Sequence, residues 1–523
     1  MSEILLGQSY YLRFDPKLWE AMQPYPPLGA LYAASYLRSQ GYSVTLFDAM
    51  LAKSEVEWVE ALEKSKPLFA VLYEDNFNYL SKMCLLRMRQ AAFEMISMAR
   101  QKGCTVIVGG ADASDHAAEY LHAGADYALL GEGELSLGEL LDSLSGRCDR
   151  PLDSIQGIAF LLGGEIRLTA RRPDIHDLDA LPFPAWDLVD IPRYRETWLK
   201  RHGYFSMNMV TTRGCPFHCN WCAKPIWGQR YHTRSPDNVA AELKWLKDTY
   251  HPDHIWFADD IFGLKPGWVP RFANLLKAQG AQVPFKCLNR ADLLLREGEV
   301  EALKQAGCQI VWMGAESGSQ KILDAMDKGT TVQQIYDAAR CLKQAGIQVG
   351  FFLQFGYPGE GLADIQKTFQ MVRDCQPDDI GMSVAYPLPG TKFYAAVREQ
   401  FGERQNWIAS DDLAMLYRGP FSTAFYRQLH TTLHREFRAH KAWERVHSQL
   451  AGRKGGSTQH AQQPVSMFRE LLSLGYNAAR LPAERWKLHR LESASHQGLG
   501  PQPMPPLAAA LPTPQLLKDR PDE

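Results

Sequence analysis

Over residues 1–146, short apolar runs rich in Val, Ile, Leu and Tyr alternate with amphipathic stretches. The runs Ile4–Tyr11, Ser43–Met50, Leu68–Glu74, Thr105–Gly110 and Asp126–Leu130 have the length of strands. Between them, LGALYAASYLRSQG and LSKMCLLRMRQAAFEMISMARQKG repeat apolar residues at helical spacing. Gly41, Gly103 and Gly124 stand where helices hand over to strands. Strand and helix in alternation predict a parallel sheet covered on both faces, a doubly wound Rossmann-like domain over 1–148.

The pattern breaks over 149–195. GIAFLLGGEIRLTARR reads as a hairpin turning at Gly163-Gly164, and the prolines of DLDALPFPAWDLVD disfavour a regular element. This stretch is read as a linker. Alternation resumes over 196–395 with the strand candidates SMNMVTT, HIWFADD, FKCLNR, IVWMGAE, VGFFLQFG and IGMSVAYP. Six strand–helix units predict a partial (β/α)6 barrel, with chemistry at the C-terminal ends of its strands. Residues 396–480 read as a helical region, with one helix expected near Ser466–Leu474. The Pro-rich tail 481–523 is expected to be disordered.

Bulk properties add limits. At 523 residues the chain suits several domains, and 46% hydrophobic with 22% charged residues is ordinary for a globular protein. A net charge of −2 gives no field for nucleic acid. No run approaches the about 18 apolar residues of a membrane span, and the N-terminus has no basic signal region. The expected compartment is the cytosol, where ten cysteines, scattered apart from one cluster, do not form a disulfide framework.

One cysteine group is not scattered. TTRGCPFHCNWCAKP places Cys215, Cys219 and Cys222 on the loop after the first barrel strand. Three thiolates at Cys-x3-Cys-x2-Cys spacing suit three irons of a cubane and leave the fourth iron open to a small molecule. The competing reading is a zinc knuckle completed by His218. Cys287, Cys308 and Cys341 are isolated and read as small buried hydrophobes.

This loop, with Trp221 before its last cysteine, resembles the radical S-adenosylmethionine (SAM) superfamily. The resemblance covers about residues 205–391 and extends to Asn289-Arg290-Ala291-Asp292, Gly314-Ala315-Glu316-Ser317-Gly318, Tyr357-Pro358-Gly359-Glu360 and Pro387-Leu388-Pro389-Gly390-Thr391. It implies a [4Fe-4S] cluster on Cys215, Cys219 and Cys222, and SAM contacts from Trp221, Asp260, Arg290, Glu316 and Ser317. At Trp256-Phe257-Ala258-Asp259-Asp260 the sequence departs from the usual Gly-Gly-Glu. The chemistry is consistent with these residue types: an acid for the SAM ammonium, an Arg fork for its carboxylate, a Glu for ribose hydroxyls.

Gly109-Gly110 with Ser114, and Gly131-Glu132-Gly133-Glu134, follow the fourth and fifth strands of the first domain. A doubly wound domain takes its ligand at that edge. Those loops, the segment LPFPAWDL and the barrel together are similar to the cobalamin-binding radical SAM proteins. The resemblance implies cobalamin on Gly109, Gly110, Ser114, Gly131, Glu132, Gly133 and Glu134, although the cobalt-ligating Asp-x-His-x-x-Gly is absent and His116 lacks its context.

The expected function is reductive SAM cleavage and methylation of an unactivated centre in a small-molecule substrate. The expected electron donor is a flavodoxin or ferredoxin, with no nucleic-acid or membrane partner. The alternatives are a cobalamin-dependent cyclase or rearrangement enzyme, a tRNA methylthiotransferase-like modifier and a non-catalytic cobalamin or redox sensor. In the C-terminal region, Trp407, Tyr417, Phe421, Phe425 and Tyr426 are candidates to line a pocket or simply to pack a helix.

Overall fold

The computed structural model describes residues 3–74, 77–78, 83–222, 226–401, 413–450 and 467–496. The N-terminal sheet has five parallel strands, β1 (Ile4–Gly7), β2 (Val44–Phe47), β3 (Phe69–Glu74), β4 (Thr105–Gly110) and β5 (Tyr127–Leu129), in the order β2-β1-β3-β4-β5. Both faces are buried. Leu5, Ala70, Leu72, Val106 and Val108 face one apolar cluster, and Ile4, Leu6, Val71 and Ile107 the other. This is why the strands read as continuous apolar runs. The order reverses between β1 and β3, which directs a ligand to the C-terminal edge of the sheet.

The expected hairpin forms as β6 (Ile158–Leu162) and β7 (Glu165–Leu168), but it is not part of a free linker. β6 pairs antiparallel with β5 and extends the first sheet to seven strands. The expected boundary at 149 therefore moves beyond β7. β1 and β2 are shorter than their apolar runs, because Gln8, Ser9 and Asp48 turn to side-chain hydrogen bonds beyond the ladder.

The second sheet holds six parallel strands in sequence order. They are β8 (Ser206–Met209), β11 (His254–Phe257), β12 (Phe285–Asn289), β13 (Cys308–Glu316), β14 (Gln348–Phe355) and β15 (Asp379–Val384). This is the expected partial barrel. Its helices begin on local signals: Ser235 caps Pro236–Tyr250, and Thr331 with Gln334 forms a capping box on Val332–Gln344. SMNMVTT is not one strand. The ladder stops at Met209, and β9 (Thr212–Gly214) pairs antiparallel with β10 (Tyr231–Thr233) to bracket the cysteine loop.

The two domains share a core. Tyr25 enters from the first domain and packs its ring 5.2 Å from Trp198 and 4.8 Å from Trp256. Trp198 donates its indole N–H to Pro24 O at 2.8 Å, and Asn208 donates its amide to Pro26 O at 3.1 Å. Burying a large apolar side chain contributes about 1.5–3 kcal/mol, so these aromatics alone resist separation of the domains.

Two long helices, Thr423–Leu450 and Met467–His496, pack on each other beside the barrel. The second is far longer than expected and continues through Pro482, so residues 481–496 belong to a helix rather than to a disordered tail. The remaining tail, 497–523, and Trp407 lie outside the described residues. Tyr417, Phe421, Phe425 and Tyr426 are buried in the core. Among the described residues no helix is long and apolar enough to cross a membrane.

Candidate functional site

The cysteine loop starts where β9 ends. Asp259, just past β11, holds the chain there. Its buried carboxylate accepts hydrogen bonds from Thr211 N (2.7 Å), Thr212 N (2.9 Å), Thr211 Oγ1 (2.7 Å) and Thr212 Oγ1 (3.0 Å). Burial raises this carboxyl to about 6 against the pull of those bonds. Asp260, the expected SAM contact, is the next residue and stays half-buried. Asp259 is a residue that sequence reasoning missed. The Asp-Asp pair at a strand end was the available signal, but not which of the two turns inward.

Gly214 then sits at φ +79°, and a Cβ there would lie 2.3 Å from Arg230 O. Only glycine allows this approach of the loop's two ends. Cys215 is buried against Ile261, Leu264 and Leu293, with Phe217 and Tyr231 beside it. Cys219 and Cys222 are half-buried, and none of the three is in a disulfide. Asn220 pins the loop between the last two cysteines. Its N–H reaches Met326 O (3.0 Å), its side-chain amide donates to Ala325 O (2.7 Å), and its Oδ1 accepts from Tyr357 Oη (2.7 Å). Phe393 N donates to Asn220 O (3.1 Å). The role of Asn220 and of Tyr357 as its partner was invisible in the sequence.

Among the described residues no three His, Cys, Asp or Glu side chains converge to hold a single metal ion. Cys215 stands against an apolar wall, Cys219 and Cys222 are half-buried on the same loop, and a cubane would take each thiolate on its own iron.

The later strand ends gather around this loop. Arg290, buried, lies with its guanidinium carbon 3.6 Å from the Phe217 ring centroid and pairs with Asp292 at 3.0 Å. Glu316 ends β13 at φ +57°, where the register with β14 shifts. A non-glycine residue held there is strained backbone of the kind that marks functional sites. Its carboxylate accepts from Lys328 Nζ at 2.7 Å, both side chains being buried. A Cβ on Gly314 would come within 2.7 Å of both partners, so that pair lies tight over bare backbone. Burial acts to lower the Lys328 ammonium, but Glu316 and the nearby Cys219 raise it overall. Ser317 is buried, its Oγ 3.2 Å from Thr368 Oγ1 and accepting from Ser319 N at 3.2 Å. Trp221 is half-buried, with no partner for its indole N–H among the described residues.

The glycine loops of the first domain face this assembly. Ser114 ties them together, donating to Gly110 O (2.8 Å) and accepting from Gly131 N (3.1 Å). Gly109 abuts Leu129, and Gly133 donates to Tyr73 Oη at 3.2 Å, where a Cβ would meet the Tyr73 ring at 2.8 Å. Gly131, at φ +82°, faces open space. The two glycine loops lie at the C-terminal edge of the sheet, one with an open face, where a doubly wound domain takes its ligand. His116 is engaged with Arg89 and Asp112.

Glu132 and Glu134 sit in an environment the sequence did not foreshadow. Both carboxylates are buried on Arg213 of β9, at 2.8 and 2.6 Å. Glu132 also accepts from the Trp227 indole N–H at 2.7 Å and from Ile175 N. Burial opposes the Arg213 charge, but the two carboxylates outweigh it and raise its pKa.

Comparison with known proteins agrees with this layout. Residues 19–141 match the B12 binding domain, and residues 209–372 match the radical SAM superfamily. An uncharacterized methyltransferase of Pyrococcus horikoshii is 31% identical over 285 residues, 54% of this chain and 60% of that protein. This chain thus spans less than two thirds of that relative's length. An anaerobic magnesium-protoporphyrin IX monomethyl ester cyclase of Synechocystis is 26% identical over 72% of this chain and 73% of its own. In fold, the chain is similar to the cobalamin-dependent SAM radical enzyme OxsB with aqua-cobalamin bound (TM-score 0.69, 18% identity, 93% of this chain and 72% of that one).

Proposed function

Because this chain is a radical SAM protein with a B12-binding domain, we propose that it cleaves SAM reductively at a [4Fe-4S] cluster and, with cobalamin, methylates an unactivated centre of a small molecule. The observation that carries this reading is the junction of the two halves. The cysteine loop of the barrel and the glycine loop of the first domain meet at Arg213 and Glu132, which brings the two candidate cofactor loops into contact.

Cys215, Cys219 and Cys222 would hold the cluster. Trp221, Asp260, Arg290, Glu316 and Ser317 would contact SAM. Gly109, Gly110, Ser114, Gly131 and Gly133, with Glu132 and Glu134 at the same edge, would receive cobalamin. When bound, the cluster would supply the electron that splits a SAM carbon–sulfur bond, and cobalamin would supply the methyl group.

The chain's own residues position and shield. Ile261, Leu264 and Leu293 keep water from Cys215, which protects a reduced cluster. Lys328 holds the Glu316 carboxylate at a strand end that backbone strain already aims. Asn220 and Asp259 fix the loop from opposite sides. The expected electron donor is a flavodoxin or ferredoxin, and the expected compartment is the cytosol.

The test is anaerobic incubation of reconstituted protein with SAM, a reductant and methylcobalamin. Methyl transfer predicts both 5′-deoxyadenosine and S-adenosylhomocysteine. 5′-Deoxyadenosine alone favours a second reading, a cobalamin-dependent cyclase, which the match over 72% of the chain to the Synechocystis cyclase supports. Neither product with an intact cluster sinks both. Cys222→Ala is expected to abolish cleavage.

A further inference from the structure

The concave face of the barrel sheet carries a charge that makes no ion pair among the described residues. Along β12 to β15, alternate residues are fully buried under the helices, among them Cys287, Val311, Met313 and Phe351. The intervening residues Lys286, Leu288, Trp312, Phe352, Gly381 and Ser383 keep partial access. Their register is continuous across the sheet: Leu288 beside Trp312, Phe352 beside Gly381. The Trp312 and Phe352 rings stack at 4.7 Å, and Trp312 lies over Gly350, where any Cβ would collide with it. This face is therefore an aromatic wall with space in front of it.

Lys286 stands on that wall near the barrel floor. It lies opposite Trp256, with its Nζ 5.2 Å from the Trp256 ring and 5.5 Å from the Tyr25 ring. Among the described residues it makes no ion pair and no hydrogen bond. Burial alone pulls its ammonium down to about 8. Burial, with the charge of Lys286, holds the nearby His202 below its ordinary value, and among the described residues no carboxylate shares the field of Lys286. Two aromatic faces return less to such a cation than its desolvation costs. A second polar atom in the same row is also unmet: Asn208, opposite Trp256, is 5% exposed and its Oδ1 has no donor among the described residues.

We propose that Lys286 receives the carboxylate, or an equivalent oxyanion, of an aromatic or apolar substrate lying in the barrel lumen. Lys286 is four residues before Arg290 on the same chain, about 13 Å along an extended strand. A molecule of that length, anchored at Lys286, reaches the strand ends where the cysteine loop sits. This assignment rests on the radical-enzyme reading for its chemistry, but not for its binding.

The experiment uses the full-chain, cluster-reconstituted protein and two probes of one shape, 4-phenylbutyrate and its uncharged amide, followed by calorimetry and tryptophan fluorescence. The acid is expected to bind at least tenfold tighter than the amide to the wild type and to Lys286→Arg. Lys286→Met is expected to lose that preference. Equal binding of acid and amide, no saturable binding of the acid, or a preference retained in Lys286→Met overturns the proposal. If Lys286→Met does not fold, Lys286→Gln replaces it with the same outcomes. 5′-Deoxyadenosine release is measured anaerobically on the same preparations after SAM and a chemical reductant such as dithionite are added. Its absence with the acid preference intact overturns the radical reading and leaves the anion site standing. Cleavage without acid preference overturns the anion site alone.

Discussion

Arg213 Nη1 lies 2.8 Å from Glu132 Oε1, across a separation of 81 residues, and two positions later the chain reaches Cys215. The far arm of the same loop returns to the same carboxylate through Trp227, at 2.7 Å. One buried carboxylate of the first domain thus holds both arms of the barrel's cysteine loop.

Glu132→Gln is expected to loosen this clamp. Breaking a buried pair costs about 3–5 kcal/mol when a charge is left alone, and Glu134 still pairs Arg213, so a loss of about 2–3 kcal/mol is expected here. Iron and sulfide content after reconstitution falls with it. Unchanged iron content and an unchanged unfolding midpoint would refute the clamp.

Asn220→Ala removes the side-chain bonds to Ala325 O and Tyr357 Oη from the middle of the loop. Leaving a buried tyrosine hydroxyl unpaired costs about 1–3 kcal/mol. Reconstituted Asn220→Ala is expected to lose iron to a chelator several-fold faster than wild type. Equal loss rates would show that the loop needs no such anchor.

Two glycine substitutions separate the cluster from SAM. Gly214→Ala combines φ +79° with a 2.3 Å clash on Arg230 O, and it is expected to prevent cluster assembly. Gly314→Ala instead pushes on Glu316 and Lys328, away from the cysteines' own backbone. It should keep its iron and bind SAM at least tenfold more weakly by calorimetry. Normal SAM affinity in Gly314→Ala would remove Glu316 from the SAM site.

Glu360 sets a pH dependence. Burial raises its carboxyl to about 8, although Oε2 accepts from Gly356 N at 2.6 Å, and Oε1 has no partner among the described residues. A carboxyl raised in the folded state binds more protons than in the unfolded state. Its contribution is fully present near pH 4 and is lost as pH rises to about 8. Wild type is therefore expected to lose up to about 1.4 kcal/mol per pH unit relative to Glu360→Gln, with no further change above that pH. Unfolding curves of both proteins at pH 5.5, 7 and 8.5 (about 1.5 units apart, spanning the window) check it. Parallel curves would mean Glu360 is not the titrating group.

Much of this molecule is local, and that part the amino-acid order determines by itself. Strand and helix alternation follows from which residues recur at intervals of two or near 3.6, and it yields both sheets. The cysteine spacing needs only one loop to specify three thiols. The edge loops at Gly109-Gly110 and Gly131–Glu134 follow from strand ends already in place. Tertiary structure decided what those residues face. The Glu132 and Glu134 carboxylates go to Arg213, and Asp259 rather than Asp260 turns inward to hold Thr211 and Thr212. The hairpin at Gly163-Gly164 joins the first sheet, and the last helix runs through Pro482 because packing against Thr423–Leu450 outweighs the local preference. Lys286 is an ordinary lysine in the sequence and becomes a half-buried cation with no ion pair or hydrogen bond among the described residues only when β11, β12 and Tyr25 close around it. The physical reason is common to these cases. Periodicity records whether a side chain faces in or out, whereas the partner it meets there comes from a segment tens of residues away.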